Sequence, residues 1–95
     1  MPVMIELSTV FRKSARQVSC QIDDEVAILD TERSLYFGLQ GAAVQIWDAL
    51  DEPRSVAELC DRLVATFAVS RAECEADTIG LLASLQEQGL IEIAV

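Results

Sequence analysis

The stretch Ser34–Leu50, SLYFGLQGAAVQIWDAL, decides the fold. Its first half, Leu35–Leu39, is aromatic and apolar and suits a pleated strand. After Gln40 the apolar period becomes helical, with Ala43, Ile46, Trp47 and Leu50 on one face, until DEPR at 51–54 stops it. A strand therefore runs into a helix almost without a loop, which raises the question of what the strand is for.

Upstream, VSCQI at 18–22 alternates weakly and VAILD at 26–30 reads as a buried strand. The turn segments DDE and TERS separate these runs from each other and from Leu35–Leu39, which predicts a three-stranded antiparallel meander. Downstream, Ser55 and Glu58 form a capping box ahead of Val56, Leu59, Cys60, Leu63 and Phe67 at helical spacing. Ser70 and Glu73 repeat the device for a third helix, with Val69 and Cys74 placed for a hydrophobic staple. Gly89 sits where a left-handed C′ residue belongs, Leu90 can close back on Leu85, and LIEIA at 90–94 offers a final strand. The order is β-β-β-α-α-α-β. It predicts an α+β fold, winged helix-turn-helix-like, with a three-stranded antiparallel sheet followed by three helices. Residues 1–16 read as an N-terminal arm of mixed character, ahead of a single domain over 17–95.

Ninety-five residues make one domain with a modest core and little room for a deep catalytic cavity, so function is expected at the surface. The net charge of −9 is spread along the chain and would repel a phosphate backbone. The third helix carries Arg71 against Glu73, Glu75, Asp77 and Glu87, so nucleic acid is a poor partner although the fold class often binds it. The chain has no histidine, no phosphate loop and no zinc motif, which argues against an enzyme, a cofactor and a metal centre. Asp23, Asp24 and Glu25 read as a solvated turn. Cys20, Cys60 and Cys74 are an odd set without a close pair and point to a reducing cytoplasm; no signal peptide or membrane span is expected.

What remains is the third strand. One outer strand of a meander keeps free N–H and C=O groups, and Leu35, Tyr36, Phe37, Gly38 and Leu39 carry no charge or proline to protect them. Such an edge can take an extended peptide as an added strand. At 100° steps the third helix puts Cys74, Thr78, Leu81, Leu82 and Leu85 on an apolar arc with Asp77 at its border, which supplies a second wall for the groove. The edge could instead be covered by the N-terminal arm, or join a twin subunit in a homodimer.

The segments DDEVAILDTERSLYFGLQGAAVQIWDALDEPRSVAELCDRL and DTIGLLASLQEQGLI together resemble the PqqD-like proteins, named after the pyrroloquinoline quinone biosynthesis protein D. The resemblance spans Val18 to Ile93. It rests on the aromatic strand ending at Leu39, the Ile46–Trp47 pair, the Pro53–Val56 helix entry, and Asp77 ahead of the Leu-rich run closing at Gly89–Leu90. It implies a non-catalytic recognition element for ribosomally synthesised, post-translationally modified peptides. In that family a precursor's leader peptide pairs antiparallel to the third strand, beside the third helix, and is presented to a modifying enzyme. The chain looks most like the standalone members of lasso peptide clusters, whose partner is a leader-cleaving cysteine protease. The member that hands its peptide to a radical enzyme is the alternative. The family commonly has Asn after the strand's final Leu, where this chain has Gln40, a poorer cap for the first helix.

Overall fold

The computed structural model describes residues 4–94. The chain folds as β1 (Val10–Lys13), β2 (Gln17–Ile22), β3 (Glu25–Asp30), β4 (Leu35–Leu39), α1 (Ala42–Ala49), β5 (Arg54–Ser55), α2 (Val56–Thr66), α3 (Arg71–Glu87) and β6 (Ile91–Ile93). This is an α+β architecture with three helices and two antiparallel sheets, ordered β2-β3-β4 and β5-β1-β6.

The meander is the one the sequence predicts, with Ser19 opposite Ile28 and Ile28 opposite Phe37. Its inner face carries Val26, Ile28 and Leu39, all buried, together with the buried Asp30. The second sheet is an addition. Within the N-terminal arm, Phe11 is fully buried and its strand pairs with Arg54–Ser55 on one side and Ile91–Ile93 on the other. Of this sheet's strands the sequence predicts β6, at LIEIA, whereas β1 and β5, with four and two residues, carry too little periodicity to read from sequence. An Arg12–Glu92 ion pair at 2.9 Å lies across one of these pairings.

The helices follow their local chemistry. In the capping box of α2, the Glu58 N–H donates to Ser55 Oγ at 3.1 Å and the Ser55 N–H donates to Glu58 Oε1 at 3.0 Å. The Ser55 N–H, donating to the ionised form, holds the Glu58 carboxyl below its ordinary value. At α3 the Glu73 N–H donates to Ser70 Oγ at 3.2 Å, while Val69 stays exposed beside this cap. The far end of α3 closes as a Schellman motif: Leu90 N–H donates to Leu85 C=O at 3.0 Å and Gly89 N–H to Gln86 C=O at 2.9 Å. Gly89 takes φ 75° there, a conformation that favours glycine.

Helix α1 begins differently from a side-chain-capped helix. Its N-cap is Gly41, with φ 62° and no side chain to offer, and Gln40 instead donates its amide N–H to Glu25 Oε1. Ile46, Trp47 and Leu50 on its inner face are buried, as the helical period requires. Trp47 joins the two sheets: its Nε1 donates to Ser19 Oγ of β2 at 3.1 Å, and Lys13 Nζ of β1 lies 4.6 Å from the ring centroid.

Candidate functional site

In the order β2-β3-β4, strand β4 is bonded only to β3, and among the described residues no strand pairs with its other side. Among the described residues the strand of the arm, β1, pairs with β5 and β6 and not with β4. The pleat turns Phe37 and Leu39 inward, where Leu39 is buried and Phe37 half-buried against the core. Tyr36 and Gly38 face outward, Tyr36 being 66 % exposed, and Leu35 at the start of the strand is 45 % exposed. A free backbone edge flanked by apolar side chains is a template for another extended chain.

Where β4 ends, a pocket of about 370 Å³ opens. Ala42, Ala43 and Ile46 of α1 form one side, and Cys74, Asp77, Thr78 and Leu81 of α3 the other, with Leu63, Phe67 and Val69 across the end. The lining is apolar apart from Asp77 and Thr78, and Asp77 is exposed at the rim. Such a pocket suits one or two apolar side chains, with a carboxylate beside them to accept from a hydroxyl or a cation.

The helical arc thus brings Cys74, Asp77, Thr78 and Leu81 together, but Leu82 and Leu85 face the core, with no more than 5 % of either exposed. Cys74 and Thr78 are themselves buried, so they contribute the back wall. The Cys74 thiol lies 3.9 Å from both the Cys60 carbonyl oxygen and Thr78 Oγ1. Burial pushes the Cys60 thiol up from its ordinary value, which makes it a poor nucleophile. Of the remaining lining, Ile46 belongs to the Ile46–Trp47 pair that the sequence singles out, while Ala42, Ala43, Leu63, Phe67 and Val69 lie outside β4 and α3, the two elements from which the sequence reading draws its site.

The other end of β4 is tied to α3. Asp30, fully buried at the end of β3, accepts from the backbone N–H groups of Glu32 and Arg33 at 3.0 and 3.1 Å and from Arg33 Nε at 2.8 Å. Arg16 adds a guanidinium 3.6 Å away. The Arg33 hydrogen bond is the main reason that the Asp30 carboxyl falls to about 2, against the opposing effect of burial. Arg33 Nη2 also donates to the Gln88 carbonyl at the C-cap of α3. The turn ahead of β4 therefore meets the C-cap of α3 through Arg33 and Gln88, while past the other end of β4 the pocket lies between α1 and α3; the groove between β4 and α3 runs from one to the other.

The one basic residue of α3, Arg71, is engaged by Asp61 at 2.5 Å and Glu75 at 2.8 Å, so this helix offers no cationic face to a phosphate backbone. Among the described residues no helix is long and apolar enough to cross a membrane, and no group of His, Cys, Asp or Glu could hold a metal ion.

No curated protein sequence matches the chain. Three solved structures are similar. TbiB1 in complex with the TbiA(β) leader peptide is 34 % identical with a TM-score of 0.81, over 85 % of this chain and 94 % of that one. Lasso peptide synthetase B1 complexed with the leader peptide is 29 % identical with a TM-score of 0.78, over 86 % and 96 %. The PqqD truncation of Methylobacterium extorquens PqqCD, a stand-alone recognition element for ribosomally synthesised and post-translationally modified peptides, is 25 % identical with a TM-score of 0.74, over 96 % and 97 %. The family model of coenzyme PQQ synthesis protein D matches residues 25–91, from the first residue of β3 to the first of β6, and the chain belongs to this PqqD family.

Proposed function

We propose that the chain is a non-catalytic adaptor that captures the leader peptide of a precursor by strand addition and presents it to a modifying enzyme, in lasso peptide biosynthesis a leader-cleaving protease. The observation that carries this reading is the unpaired outer edge of β4, followed after Gln40 and Gly41 by Ala42 and Ala43 in the lining of an apolar pocket. An antiparallel peptide on β4 would direct its upstream end toward Leu39 and the pocket. Its downstream end would leave past Leu35. Backbone bonds to β4 supply affinity, and the side chain entering the pocket supplies selection. Support comes from the two B1 relatives, both solved with a leader peptide bound.

The enzyme partner is expected to present basic residues to a surface of net charge −9. Cys20, Cys60 and Cys74 are all free thiols, which suits a reducing compartment such as the cytoplasm. Ordering an extended peptide offsets much of the contact energy, so moderate affinity and ready release after processing are expected.

The test is a titration with the synthetic leader half of a candidate precursor peptide, taken from a short reading frame neighbouring this protein's gene, followed by backbone amide shifts. Saturable binding with shifts along Leu35–Leu39 and Asp77–Leu81 is the expected result. Leu81→Asp should weaken binding by at least about tenfold while helix content stays intact. Unchanged affinity in the folded variant would remove the groove from the reading.

A further inference from the structure

At one end of the groove the chain continues from β4 into α1, which faces α3 across the pocket. The other end has no such connection. There β4 follows a turn whose last residue, Ser34, takes φ 55°, and its position relative to α3 depends on side chains. Asp30 holds the turn through two backbone N–H groups and the Arg33 guanidinium, and Arg33 reaches on to the Gln88 carbonyl. Arg16 Nη2 donates to the same carbonyl at 3.4 Å. Two guanidinium groups thus meet the carbonyl end of α3, where the helix dipole favours cations, and Asp30 compensates their charge from within.

We infer that Asp30 and Arg33 form a clamp that sets the spacing between β4 and α3 where the bound peptide leaves the groove. They act as positioning residues for leader recognition without touching the leader. This rests on the adaptor reading. A peptide in this groove must lie about 4.8 Å from β4 to make its backbone bonds and, at the same register, pack against α3. Both contacts form together only if the gap is set beforehand; a slack gap has to be ordered on binding, which costs affinity. Arg33 suits the task because its fork reaches the carboxylate with one nitrogen and the carbonyl with another, which a single ammonium cannot do. Gly89 is matched to the same device: a Cβ there would lie 2.3 Å from Arg16 Nη2.

The test compares the full-length wild type with Arg33→Met, Arg33→Lys and Asp30→Asn. Leader affinity is measured with the same synthetic leader half. The gap is measured without peptide, by relaxation enhancement of β4 amides from a nitroxide at S84C in a C20S background. Arg33 is the safer position, since its side chain is 42 % exposed and its loss need not unfold the chain. The expected result is a folded Arg33→Met protein that binds about tenfold more weakly and has altered enhancement at Leu35 but not at Leu39, with Arg33→Lys in between. Wild type that binds the leader alongside a folded Arg33→Met protein that binds it equally well would overturn the clamp and leave the adaptor reading standing. A folded wild type that ignores the leader would overturn the adaptor reading, and the clamp's role with it.

Discussion

Trp47 Nε1 donates a hydrogen bond to Ser19 Oγ at 3.1 Å, which ties α1 to β2, the strand farthest from the open edge. The indole is 1 % exposed and meets the sheet at β2, the edge strand opposite β4. Ser19→Ala leaves a buried indole N–H without its partner and should destabilise the fold by about 1–3 kcal/mol. Urea unfolding followed by Trp47 emission measures this directly. The same geometry makes Trp47 a weak reporter of peptide binding, for which Tyr36, in the open strand itself, is better placed.

Strand addition makes a prediction about the ligand rather than the protein. In an antiparallel pair, alternate residues of the peptide direct their N–H and C=O groups at β4. N-methylation should therefore weaken binding at every second residue of the paired segment, by about tenfold where a backbone bond is lost, and leave the intervening residues near wild type. A uniform response along the leader, measured by competition binding, would point to recognition by side chains alone.

Gly89→Ala forces a Cβ into the left-handed region and against Arg16. The backbone term alone is about 1–2 kcal/mol, and the displaced Arg16 adds to it. Thermal unfolding of the variant reads the sum. Ser70→Ala, at the other end of α3, removes the acceptor for the Glu73 N–H and should cost about 1 kcal/mol.

Asp30 contributes a dependence on acid. Its folded pKa, about 2, lies below the ordinary value of 3.8, so the charged form is favoured by folding. Its stabilising contribution is complete above roughly pH 5 and is lost progressively as pH falls through 3.8 toward about 2. Carboxyl chemical shifts should show Asp30 still ionised at pH 3, held by Arg33 and Arg16 with Glu32 nearby. Asp30→Asn should lose this part of the acid dependence.

The three thiols should separate by burial. Cys20 is exposed on the outer face of β2, whereas Cys60 and Cys74 are buried. Iodoacetamide should modify one thiol in the native protein and all three in denaturant, as counted by intact mass. Rapid labelling of a second thiol in the native state would show that the packing around Cys60, Cys74 and Thr78 opens.

Much of the scaffold is legible in the sequence because its signals are local. The Ser55–Glu58 box, the Ser70 cap, the Gly89 closure and the change of period after Gln40 each depend on residues a few positions apart, and the fold realises all of them. The open strand is legible for the same reason, since Leu35–Leu39 lacks protective residues within its own length. Only the tertiary structure decides the rest. Weak alternation in VSCQI does not say which side faces in; the fold turns Ser19 to Trp47 and leaves Val18 and Ile22 more than half exposed. A helical wheel places Leu82 and Leu85 on the arc of Leu81, but α3 packs against α2 on one side and borders the groove on the other, so neighbours on one arc end in different surroundings. The pocket and the Asp30–Arg33–Gln88 clamp join residues tens of positions apart. Their geometry follows from how the elements pack, and no local pattern carries it.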